Sequence, residues 1–314
     1  MIKDLKLNAV ISDDFLLDKC EIATTAAGKQ YGRLVLSDAS GEINAMLWEN
    51  VQQIAELHSG QIVHAQFVVT QYQNALQAKL SFIAPTDQSN AQLEKFIASS
   101  RFDCNEMLVE IIEIAKTIED PWLSKLVHKF YSDSTFLKKF RAHPAAVSIH
   151  HAYCGGLLQH TLNVTRLSRM VAKNYDCINV DLVTAVALLH DIGKLHEIQS
   201  LPAHDFTDNG NFIGHVVESQ NMIRDACREI EGFPDQKRDL ICHCILAHHG
   251  ELEYGSPVKP AVIEAFIVNA CDNIDAKTEI FYTHLHKNEV QLKSANFTGK
   301  NNLLGTKVTD ANLY

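Results

Sequence analysis

The hydrophobic pattern of this 314-residue chain changes period once, and that change dictates two folding units of different class. Before residue 85 the apolar positions alternate with a period of two. Residues 9–25 alternate, and Gly28-Lys29-Gln30 turns into a half-buried run at 31–36. The cluster Ser37-Asp38-Ala39-Ser40-Gly41 then leads to 42–48, followed by a short helical stretch at 51–57 and runs at 61–70 and 76–83 with a polar turn at Gln73-Asn74. Five strands with a helix between the third and fourth are the arrangement of an OB-fold barrel, a common platform for single-stranded nucleic acid.

Beyond the polar stretch Pro85-Thr86-Asp87-Gln88-Ser89-Asn90 the period becomes helical. Leu108, Ile111, Ile112 and Ala115 repeat at helical spacing, as do Leu157, Leu158, Leu162, Val164 and Leu167, then Val183, Val186, Ala187 and Leu189, then Ile241, Ile245 and Leu246. Asn179, Asp181 and Ser219 stand where caps or first turns are expected. The reading is a multidomain chain: an N-terminal all-β OB-fold barrel over 1–85, an all-α helical bundle over 90–285, and a polar tail over 286–314 that is loosely ordered or wraps a neighbouring subunit.

Composition narrows the class. Hydrophobic residues make up 46% of the chain, ample for a core, and no run approaches the roughly 18 apolar residues of a membrane helix. The start, Met1-Ile2-Lys3-Asp4-Leu5-Lys6, lacks the apolar segment of a signal peptide, so a cytoplasmic location is expected. Eight cysteines are spread without a C-x-x-C pair, which points to reduced, mostly buried thiols. A net charge of -10 argues against a surface coated with cations but leaves room for a local basic groove. The chain has neither G-x-x-x-x-G-K-[ST] nor a strand-linked G-x-G-x-x-G.

Sixteen histidines are unusual, and their positions carry the chemistry. His160, His190-Asp191, His215, His248-His249 and Asp272 fall on separate predicted helices. A helical bundle builds a core metal site in this way, and mixed imidazole and carboxylate donors suit divalent ions better than thiolates would. The doublet ends the apolar run Val186-Ala187-Leu188-Leu189, where Ile192-Gly193-Lys194 breaks the pattern. Taken alone, it also fits a helix-terminal imidazole beside a solvated carboxylate.

In its order, His160, His190-Asp191 and Asp272, the chain resembles the H…HD…D signature of HD-domain phosphohydrolases. The segment His150-His151-Ala152-Tyr153-Cys154-Gly155-Gly156-Leu157-Leu158-Gln159-His160-Thr161 is similar to the one that carries the first metal histidine in YhaM-type 3′-to-5′ exoribonucleases. Leu189-His190-Asp191-Ile192-Gly193-Lys194, Gly214-His215, His248-His249-Gly250 with Glu253 and Gly255-Ser256-Pro257, and Cys271-Asp272-Asn273-Ile274-Asp275-Ala276 resemble that family's later segments. The stretch from Asp38 through Gly41, Ile43 and Ala45 to Trp48 resembles its N-terminal OB-fold, so the likeness spans almost the whole chain. Gln159 and Asn273 depart from the acidic residues frequent at those positions, which bears on tuning more than on the reaction.

The resemblance implies hydrolysis of single-stranded RNA, with single-stranded DNA a poorer substrate, to nucleoside 5′-monophosphates. It implies two divalent ions, manganese first, with magnesium, iron, nickel, cobalt or zinc as alternatives. One ion falls to His160, His190, Asp191 and Asp272; the second to Asp191 as a bridge with His215 and His248, and His249 is a further ligand or a phosphate contact. Lys194 is expected to reach a phosphate oxygen or to be a solvated helix-end lysine. His151 is expected to protonate the leaving oxygen or hold the terminal nucleotide.

On the barrel, Tyr31, Arg33, Trp48, Phe67, Tyr72 and Lys79 are candidates for base stacking and backbone contact. Lys125 to Lys129, Lys138, Lys139 and Arg141, with Phe130, Tyr131, Phe136 and Phe140 interleaved, form either a basic entry path or two amphipathic helices. A homo-oligomer is expected. A cyclic-dinucleotide or nucleotide phosphodiesterase and a non-catalytic single-strand-binding factor are the alternatives. Against the first, residues 250–257 lack a glycine-tyrosine-proline signature.

Overall fold

The computed structural model describes residues 1–314 except 26, 74, 87–95, 148–150, 202–204, 289–291, 293, 294 and 314. It divides into two compact units, Met1–Ser99 with Gln199–Asp205, and Ser100–Ile198 with Phe206–Tyr314. Of the expected linker, residues 87–90 lie outside the description, as does His150.

The first unit is a closed barrel. Strands β1 (Val10–Thr24), β2 (Gln30–Asp38), β3 (Gly41–Leu47), β4 (Gln61–Tyr72) and β5 (Ala75–Pro85) neighbour one another in the order β1-β2-β3-β5-β4, and β4 pairs back with β1. All pairs are antiparallel except β3 with β5. This order is the OB-fold topology, and closure removes the sheet edges. The inward positions, Leu17, Leu34, Leu36, Ile43, Ala45, Leu47, Val63, Phe67 and Val69 among them, form one apolar core. The helical stretch between β3 and β4 is a single 3-10 turn, Val51–Ile54, whose buried Ile54 rests against Gly32: a Cβ there would sit 2.6 Å from the Ile54 Cδ1. Phe67, a candidate for stacking, is instead buried in this core beside Phe15, because it occupies an inward position of β4.

The second unit is helical. Its helices are α1 (Cys104–Lys116), α2 (Pro121–Tyr131), α3 (Ser134–Ala142), α4 (Gly156–Ala172), α5 (Val180–Leu189), α6 (Lys194–Glu197), α7 (Asp208–Phe212), α8 (His215–Arg228), α9 (Asp235–Leu246) and α10 (Ile263–Lys287). Asp103, Asp120 and Asp133 start α1, α2 and α3, each accepting from two backbone N–H groups of the first turn. Asn179 caps α5 as expected. Asp181 lies in the first turn of α5 and accepts the N–H groups of Glu119 and Asp120. Ser219 is no cap: it is buried within α8, where its Oγ accepts the Gly193 N–H at 2.8 Å.

Helix α5 is apolar nearly all round, and Leu182 to Leu189 are buried, so it becomes the axis of the bundle. The aromatics Tyr131, Phe136 and Phe140 pack into the same core, and the Tyr131 hydroxyl donates to the Leu188 carbonyl at 2.7 Å. They face inward, as an amphipathic pair requires, and are not interleaved with the lysines on a binding surface. Lys125 lies over the Trp122 ring and Lys129 pairs with Glu229.

The described part of the tail is ordered against the bundle. The His284 ring contacts Thr298 and Asn301, Thr298 and Val308 are buried, and Lys300–Asn301 pairs with Thr306–Lys307 as a short ribbon, β6 and β7. No helix among the described residues is long and apolar enough to cross a membrane. No disulfide joins the cysteines among the described residues, and burial pushes the Cys227 and Cys244 thiols up to about 12.

One glycine sets how closely α8 approaches the end of α5. A Cβ on Gly193 would lie 2.4 Å from the His215 carbonyl oxygen and 2.5 Å from the Ser219 nitrogen, both backbone atoms. Gly193→Ala must therefore push α8 away, at a cost of roughly 1–3 kcal/mol from overpacking. Thermal melting is expected to fall for Gly193→Ala and to stay unchanged for Gly299→Ala, where a Cβ meets nothing within 4 Å.

Candidate metal centre

Five segments converge at the end of α5. His160 comes from the second turn of α4, His190 and Asp191 from the residues that end α5, His215 from the start of α8, His248 and His249 from the turn after α9, and Asp272 from α10. His160, His190, Asp191 and His248 are almost wholly buried.

The rings are oriented by what holds their Nδ1 atoms. His160 Nδ1 meets Asp275 Oδ2 at 2.7 Å, His190 Nδ1 the Ala187 carbonyl at 2.8 Å, and His215 Nδ1 Glu197 Oε1 at 2.7 Å. His248 Nδ1 meets the Ile245 carbonyl at 2.6 Å and His249 Nδ1 the Tyr254 carbonyl at 2.9 Å. Each partner is an acceptor only, so each Nδ1 carries the proton and donates it. In a neutral ring the lone pair is then on Nε2, and all five Nε2 atoms turn inward.

The inward atoms fall into two sets that share one carboxylate. Around Asp191 Oδ2 lie His160 Nε2 at 3.3 Å and His190 Nε2 at 3.4 Å, and Asp272 Oδ1 is 3.1 Å from the same His160 nitrogen. Around Asp191 Oδ1 lie His248 Nε2 at 3.5 Å and His215 Nε2 at 3.6 Å, and His249 Nε2 is 3.3 Å from His215 Nε2. His160, His190 and Asp272 form one group spaced to hold an ion, and His215, His248 and His249 another.

The electrostatics favour a cation. Burial works against a charged His160, yet Asp191, Asp272 and Asp275 outweigh it and hold its pKa well above the usual value. Burial also opposes ionised Asp191, but Lys194, His190 and His160 keep its pKa well below the carboxylate range. Burial, then neighbouring His248 and His215, pushes His249 down to about 3, and burial lowers His248, so both are neutral donors at ordinary pH. Asp191 Oδ1 and His248 Nε2 are buried without a hydrogen-bond partner among the described residues. Such atoms are costly unless something satisfies them, and an ion contacting both would do so.

Two expected roles meet a different geometry. Lys194 is buried, and its Nζ lies 2.7 Å from Asp191 Oδ2, so its ammonium neutralises that carboxylate and is not a solvated helix-end charge. His151 is buried with both ring nitrogens engaged, Nδ1 by the Tyr153 hydroxyl at 2.7 Å and Nε2 by Asp275 at 2.8 Å. A ring so placed has no free nitrogen to offer a leaving oxygen. Asp275 and Glu197 escaped sequence reasoning. Asp275 stands one helical turn after Asp272, a spacing that places both on one face of α10. Glu197 has no comparable signal; it follows the doublet closely but lies on a separate short helix.

On the barrel, Tyr31, Arg33 and Trp48 line one depression together with Met46, Tyr72 and Leu76. It lies between the β1–β2 and β4–β5 turns, where OB-folds take their ligands. Tyr31 and Trp48 stack at 5.0 Å, Trp48 and Tyr72 are exposed, and Arg33 pairs with exposed Glu21. Lys79 is exposed on β5 opposite Met46.

Barrel and centre together define an OB-fold protein with an HD-type, divalent-metal-dependent catalytic unit, and the HD domain family matches residues 157–277. The 3′-5′ exoribonuclease YhaM of Shouchella clausii is 33% identical over 272 residues, covering 84% of this chain and 83% of the relative. That of Listeria welshimeri is 35% identical over 274 residues, covering 83% and 84%, and that of Bacillus subtilis 31% over 268 residues, covering 84% of each. A solved domain of replication protein A from Methanococcus maripaludis is similar over 28% of this chain and 93% of its own, with 20% identity and a TM-score of 0.25. The chain belongs to the YhaM 3′-5′ exoribonuclease family.

If Asp191 joins the two sets, Asp191→Asn should lose binding at both. Manganese should raise the melting temperature of the wild-type chain, EDTA should reverse the rise, and Asp191→Asn should show neither effect in a thermal-shift titration.

Proposed function

We propose that this chain is a metal-dependent 3′-to-5′ exoribonuclease that binds two divalent cations, manganese foremost, and degrades single-stranded RNA to nucleoside 5′-monophosphates. Single-stranded DNA is a poorer substrate, the location is cytoplasmic and the active form is a homo-oligomer. The observation that carries the reading is the placement of Asp191, with each oxygen facing its own pair of histidine Nε2 atoms.

In this reading His160, His190, Asp191 and Asp272 hold one ion, and Asp191, His215, His248 and His249 the other. When bound, such a pair activates water and offsets the charge of a phosphodiester. The chain's own residues do the rest. Carbonyls and carboxylates lock the imidazoles in one tautomer, Lys194 keeps Asp191 ionised, and Glu197 fixes His215 through both its backbone N–H and its ring. Burial keeps bulk water away from the ligand atoms. The barrel supplies the preference for a polymer: Trp48, Tyr31 and Tyr72 offer faces on which bases stack, and Arg33 and Lys79 offer charge to the backbone.

The test is 5′-labelled single-stranded RNA incubated with the protein and manganese. A ladder that shortens from the 3′ end is expected, absent in His190→Ala and Asp191→Ala. A shifted band without cleavage would favour a binding factor, and linearisation of a cyclic dinucleotide with RNA left intact would favour the phosphodiesterase. Stacking on one aromatic is worth about 1–3 kcal/mol, so Trp48→Ala should raise KM for RNA roughly 5- to 150-fold. Hydrolysis of bis(p-nitrophenyl) phosphate should be unchanged; an equal loss on both substrates would contradict the division of labour.

A further inference from the structure

The third group of close ligand-type atoms, His151, His160 and Asp275, lies behind the centre and is buried throughout. Every polar atom of the Asp275 carboxylate is already used. Oδ2 faces His160 Nδ1 at 2.7 Å and His151 Nε2 at 2.8 Å, and Oδ1 accepts from Asn163 Nδ2 at 2.8 Å. Three N–H donors thus converge on one carboxylate, an arrangement of hydrogen bonds and not of ion ligands.

The chain spends conformational strain to build it. His151 is held at a φ of +53°, a left-handed conformation unusual for a residue with a side chain. Its carbonyl accepts the Ala145 N–H at 3.0 Å and lies so close to Gly156 that a Cβ there would be 1.9 Å from it. Behind the ring, the Tyr153 hydroxyl contacts His151 Nδ1 at 2.7 Å and Glu279 at 3.2 Å, and Arg101 pairs with Glu279. A line of contacts therefore runs from the ring of His160 through Asp275, His151 and Tyr153 to Glu279.

We infer that Asp275, seated by His151 and Asn163, is a positioning residue that fixes His160 as the Nδ1–H tautomer and aims its Nε2 at Asp191 and Asp272. His151 acts through Asp275, and its part is to seat that carboxylate. The inference rests on the metal reading of the centre and not on the identity of the substrate. A carboxylate behind a ligand imidazole raises the basicity of the ligand nitrogen, and removing such a partner typically costs about 10- to 100-fold in metal affinity or activity.

Asp275→Asn keeps the shape and removes the charge. Titration of the metal-free full chain with cobalt(II), followed by its visible absorption, should show the binding step of the His160 set weakened about 10- to 100-fold. The other step should be unchanged. In the zinc-loaded protein, nitrogen-15 NMR of the histidines should lose the hydrogen-bonded His160 Nδ1–H signal. On RNA, kcat should fall with KM little changed. Wild-type cobalt affinity and an unaltered His160 signal would overturn the proposal, and so would the loss of a third equivalent of ion, which would make the cluster a cation site. Should Asp275→Asn fail to fold, Asn163→Leu removes one donor only and is expected to weaken the same step to a lesser degree; unchanged affinity there would equally overturn it. If wild-type protein binds cobalt as described but leaves RNA uncut, the exoribonuclease reading fails while this one stands.

Discussion

Everything in the helical unit follows from one ionised carboxylate, Asp191, buried at the end of an apolar helix. Taking a carboxylate out of water costs several kcal/mol even after relaxation, and the cost is recovered only if surrounding groups compensate it. Lys194 compensates one oxygen directly, while the other has no hydrogen-bond donor among the described residues. The carboxylate and the ring nitrogens around it form a donor-rich cage suited to a cation.

The rest of the bundle serves that cage. An all-round buried α5 brings the doublet to the interior, and the lack of a side chain at Gly193 lets the first residue of α8 come within contact distance. Helices α4 and α10 contribute residues from within their hydrogen-bonded turns, where the backbone has little freedom, so His160 and Asp272 are placed by rigid elements. The histidines at α5, α8 and α9 sit at helix ends instead. At the C-terminal ends of α5 and α9 free carbonyls are available, and the Ala187 and Ile245 carbonyls hold the His190 and His248 rings, whereas His215, at the N-terminus of α8, is held by the Glu197 carboxylate.

The sequence makes the fold class legible because period two and period 3.6 are incompatible and each runs for many residues. The ligand-type residues are legible because histidine and aspartate in that order match a known signature. Less legible is anything that depends on which face of an element turns inward. Phe67 lies in a strand whose alternation admits either register, and Tyr131, Phe136 and Phe140 look the same on a basic surface as in a core. Ser219 resembles a cap until α8 is seen to begin at His215. Asp275 and Glu197 act on other side chains; the i, i+3 spacing from Asp272 puts Asp275 on the ligand face without giving its role, Glu197 has no such signal, and their contacts reveal both.

The central claim is that Asp191 is shared by two cations, and anomalous scattering from crystals grown with manganese tests it most directly. The account predicts two anomalous peaks about 3.5–4 Å apart on either side of the Asp191 carboxylate. A single peak, or a pair that Asp191 does not touch, would contradict it.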